Sequence, residues 1–343
     1  VCSSDLIDIN KLSFYYLSLN PNAIELLKEN LDKINWDLLC LNPNGYIILN
    51  ENQDKINWSY LSQNPNINKI KLNKNQNNFD WYYLSKNPNA IEIIKENLDK
   101  INWNNLCLNI NAIEIIKENQ EKIKWNFLSK NENAIELLKE NQDKIDWKCL
   151  SLNSKAIELL KENQDKIDWK KLSYNSNSNV IKLLKENSDK IDWNYLSYNS
   201  NLNVIELLKE NKNKINWKIL SSNSNINIIN FLKENQDKID WDNLCLNPNG
   251  YIILNENLDK INWNYLSIIS NAIEILNKNQ DKINYHLLSL NPAIFTYKYK
   301  EIKNKFQDLG QEIIEKALHP KRIIRLMETY GEDEIYKNYF DED

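Results

Sequence analysis

The chain has 343 residues, and its composition excludes several classes of protein. It contains 4 Gly, where an average chain has roughly 7%, and it has no glycine-rich phosphate-binding motif. The 2 His and 5 Cys form no cluster and no C-x-x-C pair, so we expect no metal site and no cofactor. The net charge of -5 disfavours a nucleic-acid partner. No apolar run approaches the 18 or so residues of a membrane helix, so we expect no membrane partner.

The first six residues, 1–6, read Val-Cys-Ser-Ser-Asp-Leu and resemble the translation of a sequencing adapter. We therefore exclude them from the fold, as we would any segment added by cloning. We expect the natural N-terminus to be missing from this sequence.

An internal repeat of about 22 residues is predicted over residues 7–294. An aromatic residue marks each of thirteen units, with steps of 22 residues, one step of 23 and three of 24. Leu is the third residue after the aromatic in every unit, so no shift of register is needed. The aromatic residues are Phe14, Trp36, Trp58, Trp81, Trp103, Trp125, Trp147, Trp169, Trp193, Trp217, Trp241, Trp263 and Tyr285.

Each unit is predicted to begin with a short helix at its aromatic residue. Before Trp169, Asp168 is placed to act as the N-cap, because Asp and Asn are preferred there. Ile167 and Leu172 then occupy the two positions of a hydrophobic staple. The extra residues of the longer units follow this helix, as in 175–179, which predicts a loop.

A second helix is predicted after this loop. Six of the seven Pro share one phase at its start, where the missing N–H costs no hydrogen bond. Glu158 and Lys161 lie three residues apart, the spacing of an exposed ion pair on a helix. An Asn ends the helix in every complete unit, for example Asn163, and we expect it in the left-handed conformation of a helix C-terminus.

Two helices of about two turns each are unstable alone in water, so the units must stack. We predict an all-α fold, an α-solenoid of about thirteen two-helix units that share buried tryptophans with their neighbours. We expect an open array, roughly 100 to 130 Å long at the spacing of packed helices. A leucine-rich horseshoe also fits the period, but no stretch alternates as a strand does.

Residues 295–343 break the period and are predicted to form a C-terminal helical cap. Gly310 and His319-Pro320 separate three helical patterns in this segment. The tail from Glu332 to Asp343 is acidic, which suits the polar outer face that the end of an open solenoid needs.

Units of the form W-x-x-L-S-x-N-P-N-A-I-x-x-L-x-x-N-x-D-K-I resemble the tandem repeats of proteins from giant nucleocytoplasmic large DNA viruses. The resemblance covers Phe14 to about Ile294, and it departs from the pattern at Ile269, where Asn is expected. It implies a virus-encoded repeat protein inside the cell, in the cytoplasm of an infected host or in the virion. It supplies no active site.

Cysteine replaces serine at one place of the repeat. Cys40, Cys107 and Cys245 stand four residues after the aromatic, where the other ten units have Ser. Nothing brings metal ligands to tetrahedral spacing, so we interpret these Cys as small packing substitutes. His286 and His319 have no nucleophile or carboxylate at a catalytic spacing and are expected on the surface.

The residues at the second and fifth places after the aromatic vary between units, and we call them the variable stripe. They lie three apart on one helix and hence on one face. Many are Tyr, and because aromatic anchors give contact area at low entropic cost, the stripe is predicted to bind a partner. Alternatively, the Tyr complete the packing between units. The candidates are Tyr16, Tyr60, Tyr83, Phe127, Lys171, Tyr195 and Tyr265 at the second place, and Lys86, Lys130, Tyr174 and Tyr198 at the fifth.

The sequence contains no reactive cluster, so we expect a protein that is not an enzyme. The favoured function is a scaffold for protein–protein interaction. One alternative is a structural spacer in a large assembly such as a virion. Another is single-stranded nucleic-acid binding by one unit per base, which the acidic balance of the chain disfavours.

Overall fold

The computed structural model describes residues 9–71 and 78–295. The chain divides into two compact units, one of Val1–Ser3 with Phe295–Asp343 and the other of Ser4–Ile294. All the repeats belong to the second of these. The adapter-like segment 1–6 lies outside the described residues, as does the expected C-terminal cap beyond Phe295.

The described residues contain 24 α-helices, short 3-10 turns and no strand, so the predicted all-α solenoid is confirmed. Each unit starts with a helix at its aromatic residue. These first helices are α1 (Phe14–Leu17), α3 (Trp36–Leu41), α5 (Trp58–Leu61), α6 (Trp81–Lys86), α8 (Trp103–Leu106), α10 (Trp125–Leu128), α12 (Trp147–Leu150), α14 (Trp169–Leu172), α16 (Trp193–Tyr198), α18 (Trp217–Ser221), α20 (Trp241–Leu246), α22 (Trp263–Ile268) and α24 (Tyr285–Leu288).

A second helix follows in eleven units, and a 3-10 turn takes its place in two, at Ile67–Lys69 and Pro292–Phe295. The second helices are α2 (Ile24–Lys28), α4 (Tyr46–Leu49), α7 (Ile91–Lys95), α9 (Ile113–Glu118), α11 (Ile135–Glu140), α13 (Ile157–Glu162), α15 (Ser178–Glu186), α17 (Val204–Glu210), α19 (Ile226–Lys233), α21 (Tyr251–Leu254) and α23 (Ile273–Lys278).

Most units end with a further 3-10 turn, which the sequence did not predict. It carries the Asp-Lys pair of the repeat, as in Gln164–Lys166. A turn of the same kind, Ile9–Lys11, precedes the first unit. Most units therefore consist of two α-helices and one 3-10 turn.

The predicted capping of the first helices is confirmed. Asp168 accepts a hydrogen bond from the backbone N–H of Lys171 at 3.1 Å. Ile167 and Leu172 are both buried, as a hydrophobic staple requires. This local chemistry fixes where a helix of only four residues begins.

The end of the second helix differs from the prediction. Asn163 has a φ of -130° and a ψ of 51°, which is not left-handed. Its side chain instead donates from Nδ2 to the carbonyl of Leu159 at 3.0 Å, so the amide satisfies an open carbonyl of the last turn. The predicted ion pair between Lys161 and Glu158 is present at 2.9 Å.

The aromatic residues of the repeat are half-buried, which corrects the expectation of buried tryptophans. The fully buried residue is the Leu three places later, for example Leu172. A lysine covers the outer face of most rings: the Nζ of Lys190 lies 4.5 Å from the ring centroid of Trp169. The cation–π contact therefore holds the Trp to the last turn of its own unit, in addition to apolar packing.

A ladder of buried asparagine side chains joins each unit to the one before it. Asn131, six residues after its aromatic, donates from Nδ2 to the carbonyls of Cys107 and Asn109, both at 3.0 Å. Each such bond contributes about 1 kcal/mol net, and leaving its buried acceptor unpaired costs more. Ile269 has no donor at this place, so the ladder is interrupted between the units at Trp241 and Trp263.

A second set of bonds runs through the serine of each unit. Ser151 donates from Oγ to the carbonyl of Trp147 at 2.8 Å. The same Oγ accepts from the backbone N–H of Asp168 in the next unit at 3.0 Å. One small hydroxyl thus ties the first helix of a unit to the first helix that follows.

The thirteenth unit meets the first unit through these same contacts. Asn20 donates from Nδ2 to the carbonyls of Ser289 and Asn291, at 3.0 and 3.1 Å. The Oγ of Ser289 accepts from the backbone N–H of Ser13 at 2.7 Å. The next amide along the chain, Asn22, donates to the carbonyl of Pro292 at 3.0 Å.

A contact between a lysine and an aromatic ring also spans this junction. Lys11 lies 5.0 Å from the ring centroid of Tyr285, as Lys33 lies 4.9 Å from that of Phe14. Because the last unit contacts the first as every neighbour contacts the next, the repeats form a closed ring of thirteen. The expectation of an open array, with ends that need a cap, is therefore wrong for residues 9–71 and 78–294.

Candidate interaction face

The first helices form the inner layer of the ring. Neighbouring first helices such as α16 and α18 pack more closely than neighbouring second helices such as α15 and α17, although α15 and α17 are the longer pair. Both layers contribute one element per unit to the same closed circle, so the more closely spaced layer lies at the smaller radius.

Grooves between the second helices agree with this arrangement. One groove of about 490 Å³ is lined by Ile181 and Lys185 of α15 and by Ile205 and Glu206 of α17. Another, of about 590 Å³, lies between the turn Ile67–Lys69 and α7. Grooves thus separate neighbouring second helices, whereas neighbouring first helices pack closely.

The variable stripe lies at the surface of the first helices. Its tyrosines Tyr60, Tyr83, Tyr195 and Tyr265 are 37% to 41% exposed. The fifth-place residues Lys86, Lys130, Tyr174 and Tyr198 are exposed, whereas Tyr16, Phe127 and Lys171 are half-buried. The opposite face of each helix, with the Leu and Ser of places three and four, is buried against the second helices.

Rings of the stripe make contacts across two of the junctions between units. The ring of Tyr174 packs edge-on against Tyr195 of the next unit, with centroids 6.2 Å apart. At the closing junction, Tyr16 packs against the exposed ring of His286 in the same manner, at 4.7 Å. Packing between units and exposure to solvent thus occur in the same side chains.

Two places interrupt the stripe. Asn105 and Cys149 occupy the second place but are buried. The side chain of Asn105 turns inward and donates to the carbonyl of Tyr82 at 2.6 Å. The surface is therefore divided into arcs and is not one uniform band.

Sequence reasoning missed the residues at the first place after the aromatic. Tyr15 and Tyr82 are 53% and 58% exposed, more than the stripe tyrosines beside them. Tyr82 packs edge-on against Tyr83 with centroids 5.2 Å apart. A helical wheel places the first residue on the same face as the second and fifth, so the signal was present in the sequence.

The cysteines take over the hydrogen bond of the serine they replace. The Sγ of Cys107 accepts from the backbone N–H of Lys124 at 3.4 Å, and that of Cys245 accepts from Asn262 at 3.2 Å. Burial raises the pKa of the Cys40 thiol to about 11. The predicted packing role is confirmed, since a buried protonated thiol is a poor nucleophile.

Across residues 9–71 and 78–295, no group of three or more His, Cys, Asp or Glu is arranged to hold a metal ion. In the same ranges, no helix has both the length and the apolar character needed to cross a membrane. No family model, curated protein or solved structure matches the chain.

Proposed function

We propose that this protein is a non-catalytic scaffold whose variable stripe binds a protein partner. The observation that carries the proposal is the row of half-exposed tyrosines on the inner face, among them Tyr60, Tyr83, Tyr195 and Tyr265. Tyrosine provides a large apolar contact and a hydroxyl that bonds at the edge of an interface. Such residues dominate the binding energy of many protein interfaces.

The rigidity of the ring supports this function. The tyrosines of the stripe stand on or beside helices whose units are tied to their neighbours by asparagine and serine bonds, as at Asn199, except that the unit of Tyr265 has Ile269 in place of the asparagine. A surface that is ordered before binding loses little conformational entropy when the partner docks. The variation of the stripe between units then provides specificity, because the fixed residues are used for stacking.

Closure argues against the role of a spacer. A spacer gains length by adding units at its ends, whereas Ser13 and Ser289 already bond to one another across the closing junction. The ring offers faces for binding, and within residues 9–71 and 78–294 no repeat lacks a neighbour on either side, so there is no end to which further units could be added. An interaction scaffold uses this geometry and a spacer does not.

A capture experiment tests the proposed function. The full chain and a variant with Ala at Tyr60, Tyr83, Tyr195 and Tyr265 are used as baits, and captured proteins are identified by mass spectrometry and purified. We expect the variant to bind the identified partner about tenfold or more weakly by calorimetry. A matched control has Ala at the exposed Leu31, Leu98 and Leu258, which lie outside the first helices.

The control variant is expected to bind as the parent does. Equal affinity of the parent and the tyrosine variant would contradict the proposal, as would an equal loss in the leucine control. Circular dichroism of each variant shows that its helices are intact before binding is compared.

We also propose, from the resemblance of the units alone, that the protein is virus-encoded and acts in the infected cell or in the virion. Mass spectrometry of purified virions and of infected cytoplasm tests this location. Recovery of the chain from neither sample would count against it.

A further inference from the structure

Lysines are concentrated on and next to the first helices of three consecutive units. We define the lysine arc as Lys124, Lys130, Lys148, Lys170 and Lys171, in the units at Trp125, Trp147 and Trp169. Four of the five are exposed and Lys171 is half-buried. The arc is basic although the whole chain has a net charge of -5.

Lysine at position 124 is costly to the fold. The other twelve units have Ser, Asn or Asp immediately before the aromatic, and most of those side chains accept a backbone hydrogen bond. Lys124 makes no such bond at the start of α10. Replacing a capping residue typically costs about 1 kcal/mol. A cation has thus been placed where helix stability favours an acceptor.

The positive charge of the arc is only partly balanced by nearby carboxylates. Asp146 and Asp168 lie among these lysines, and each caps a helix by accepting a backbone N–H, from Cys149 at 2.8 Å and Lys171 at 3.1 Å. Both carboxylates are thus already engaged by backbone N–H groups. None of the five has an ion-pair partner among the described residues.

The outer layer of two of these units shows the opposite arrangement. Lys139 and Lys161 on the second helices pair with Glu136 and Glu158, both at 2.9 Å. These two lysines are neutralised within their own helices, whereas the lysines of the arc are available to a partner.

The three units of the arc are joined in sequence. Ser129 accepts from the backbone N–H of Asp146 and Ser151 from that of Asp168, both at 3.0 Å, so the first helices of these units are direct neighbours. The charges of Lys130 and Lys171, from the two outer units, both act on the buried thiol of Cys149 in the middle unit. Aromatic rings lie within the arc and beside it: Lys130 is 5.9 Å from the ring centroid of Phe127, and Lys170 is 5.2 Å from that of Tyr195.

We propose that the lysine arc binds an extended acidic segment of a partner protein, with aromatic or apolar residues between its carboxylates. This inference rests on the proposed function. Carboxylates would pair with the lysines, and the alternating side chains would pack against Phe127, Tyr174 and Tyr195. Three units at the spacing of packed helices span about 25 Å, which an extended segment of roughly seven residues covers.

A peptide fits this surface better than a nucleic acid. The repeats contain no Arg, the residue that pairs with phosphate in a bidentate manner. Asp146 and Asp168 would also lie close to any phosphate backbone bound along the arc. The net charge of the chain opposes a densely charged polyanion more than a short acidic peptide.

Fluorescence anisotropy with the full chain tests the inference. The probe is a labelled peptide of about seven residues that alternates Glu and Tyr, compared with the same peptide carrying Gln for Glu and with an oligouridine of equal length. We expect the acidic peptide to bind most tightly, and to bind more weakly as salt is added. Lys130→Gln, Lys148→Gln and Lys171→Gln together should weaken it about tenfold.

Two further variants separate binding from folding. Lys139→Gln with Lys161→Gln removes lysines from the outer layer of the units at Trp125 and Trp147, and it should leave the affinity for the peptide unchanged. Lys124→Asn restores the helix cap, so it should raise the stability of the protein and yet weaken the peptide. If the arc had only a structural role, stability and peptide affinity would not change in opposite directions.

The inference is overturned if the Gln peptide binds as tightly as the Glu peptide, or if the outer-layer variant loses as much affinity as the arc variant. Tighter binding of oligouridine would also overturn it and would assign the arc to nucleic acid. If the acidic peptide does not bind but the tyrosines are still needed for capture of a partner, this inference is wrong and the proposed function is unaffected. Loss of tyrosine-dependent capture removes the proposed function whichever way the peptide behaves.

Discussion

Asn20 donates a hydrogen bond from its Nδ2 atom to the backbone carbonyl of Ser289 at 3.0 Å, although 269 residues separate the two in the chain. The equivalent bond at an internal junction, from Asn42 to Ser18 at 2.9 Å, spans only 24 residues. The closing junction is thus chemically ordinary and topologically unique, because no peptide bond joins its two sides.

The closing junction should open when its buried bonds are removed. We expect Asn20→Leu with Ser289→Ala to lower the free energy of unfolding by about 2 to 3 kcal/mol, since buried acceptors lose their donors. We also expect the radius of gyration from small-angle X-ray scattering to rise, because the ring opens at this junction.

The control is Asn153→Leu with Ser129→Ala, which removes the same groups at an internal junction. It should lose stability similarly in urea but keep the parental radius of gyration, since the chain itself still joins these units. If the closing-junction variant has the same radius of gyration as the parent protein, the remaining contacts are sufficient to keep the ring closed.

The interrupted ladder offers a stabilising substitution. In Ile269→Asn, the amide can reach the carbonyls of Cys245 and Asn247, as Asn247 reaches those of Ser221 and Asn223. We expect a gain of about 1 kcal/mol in the free energy of unfolding by urea titration. The neighbouring Ile268→Asn should give no gain, and equal effects at the two positions would contradict the ladder as the cause.

The buried thiol of Cys40 should make stability depend on pH at the alkaline end. The folded protein raises the pKa of this thiol to about 11, above the roughly 8.5 of an unfolded chain. Its contribution is complete below about pH 8.5 and is lost as the pH rises through about 11, a loss of about 2 to 3 kcal/mol. Urea unfolding of the parent and of Cys40→Ser across this range measures the difference.

Serine stands at this place in ten units, so Cys40→Ser retains the packing and the hydrogen bond. The titrations of Tyr and Lys are common to both proteins and cancel in the comparison. Parallel pH profiles for the two would show that the thiol does not control the alkaline loss.

The lysine over each ring should contribute to stability unevenly. Lys190 lies 4.5 Å from the centroid of Trp169, whereas Lys238 pairs with Asp237 at 3.2 Å. We expect Lys190→Gln to cost about 0.5 to 1 kcal/mol and Lys238→Gln to cost less. Equal costs in urea titrations would show that the cation–π contact does not stabilise the unit.

The local features of the fold could be predicted from the sequence because their causes are local. Asp168 caps its own helix, and Glu158 pairs with a lysine one turn away. The substitution of Ser by Cys was also readable, since both accept the same backbone bond. These interactions depend on a few neighbouring residues and on no property of the whole ring.

Closure could not be read in this way. It depends on the small rotation from one unit to the next, which is set by the relative spacing of the two helix layers. Half-burial of the Trp was missed for a related reason: the stem of a lysine such as Lys190 covers a ring without making it part of the core. The stripe residues were identified, but the basic character of the arc was hidden because the average charge of the chain is negative.

A closed circle has a set circumference, so the copy number of the repeats is itself a structural property of this protein. The stretches Trp36–Asn57 and Trp241–Asn262 are nearly identical, which indicates that whole units have been duplicated. An open array tolerates such gain or loss at either end. Here, inserting or deleting one copy alters the curvature required of every remaining junction, and the strain falls on the single seam that lacks a covalent link.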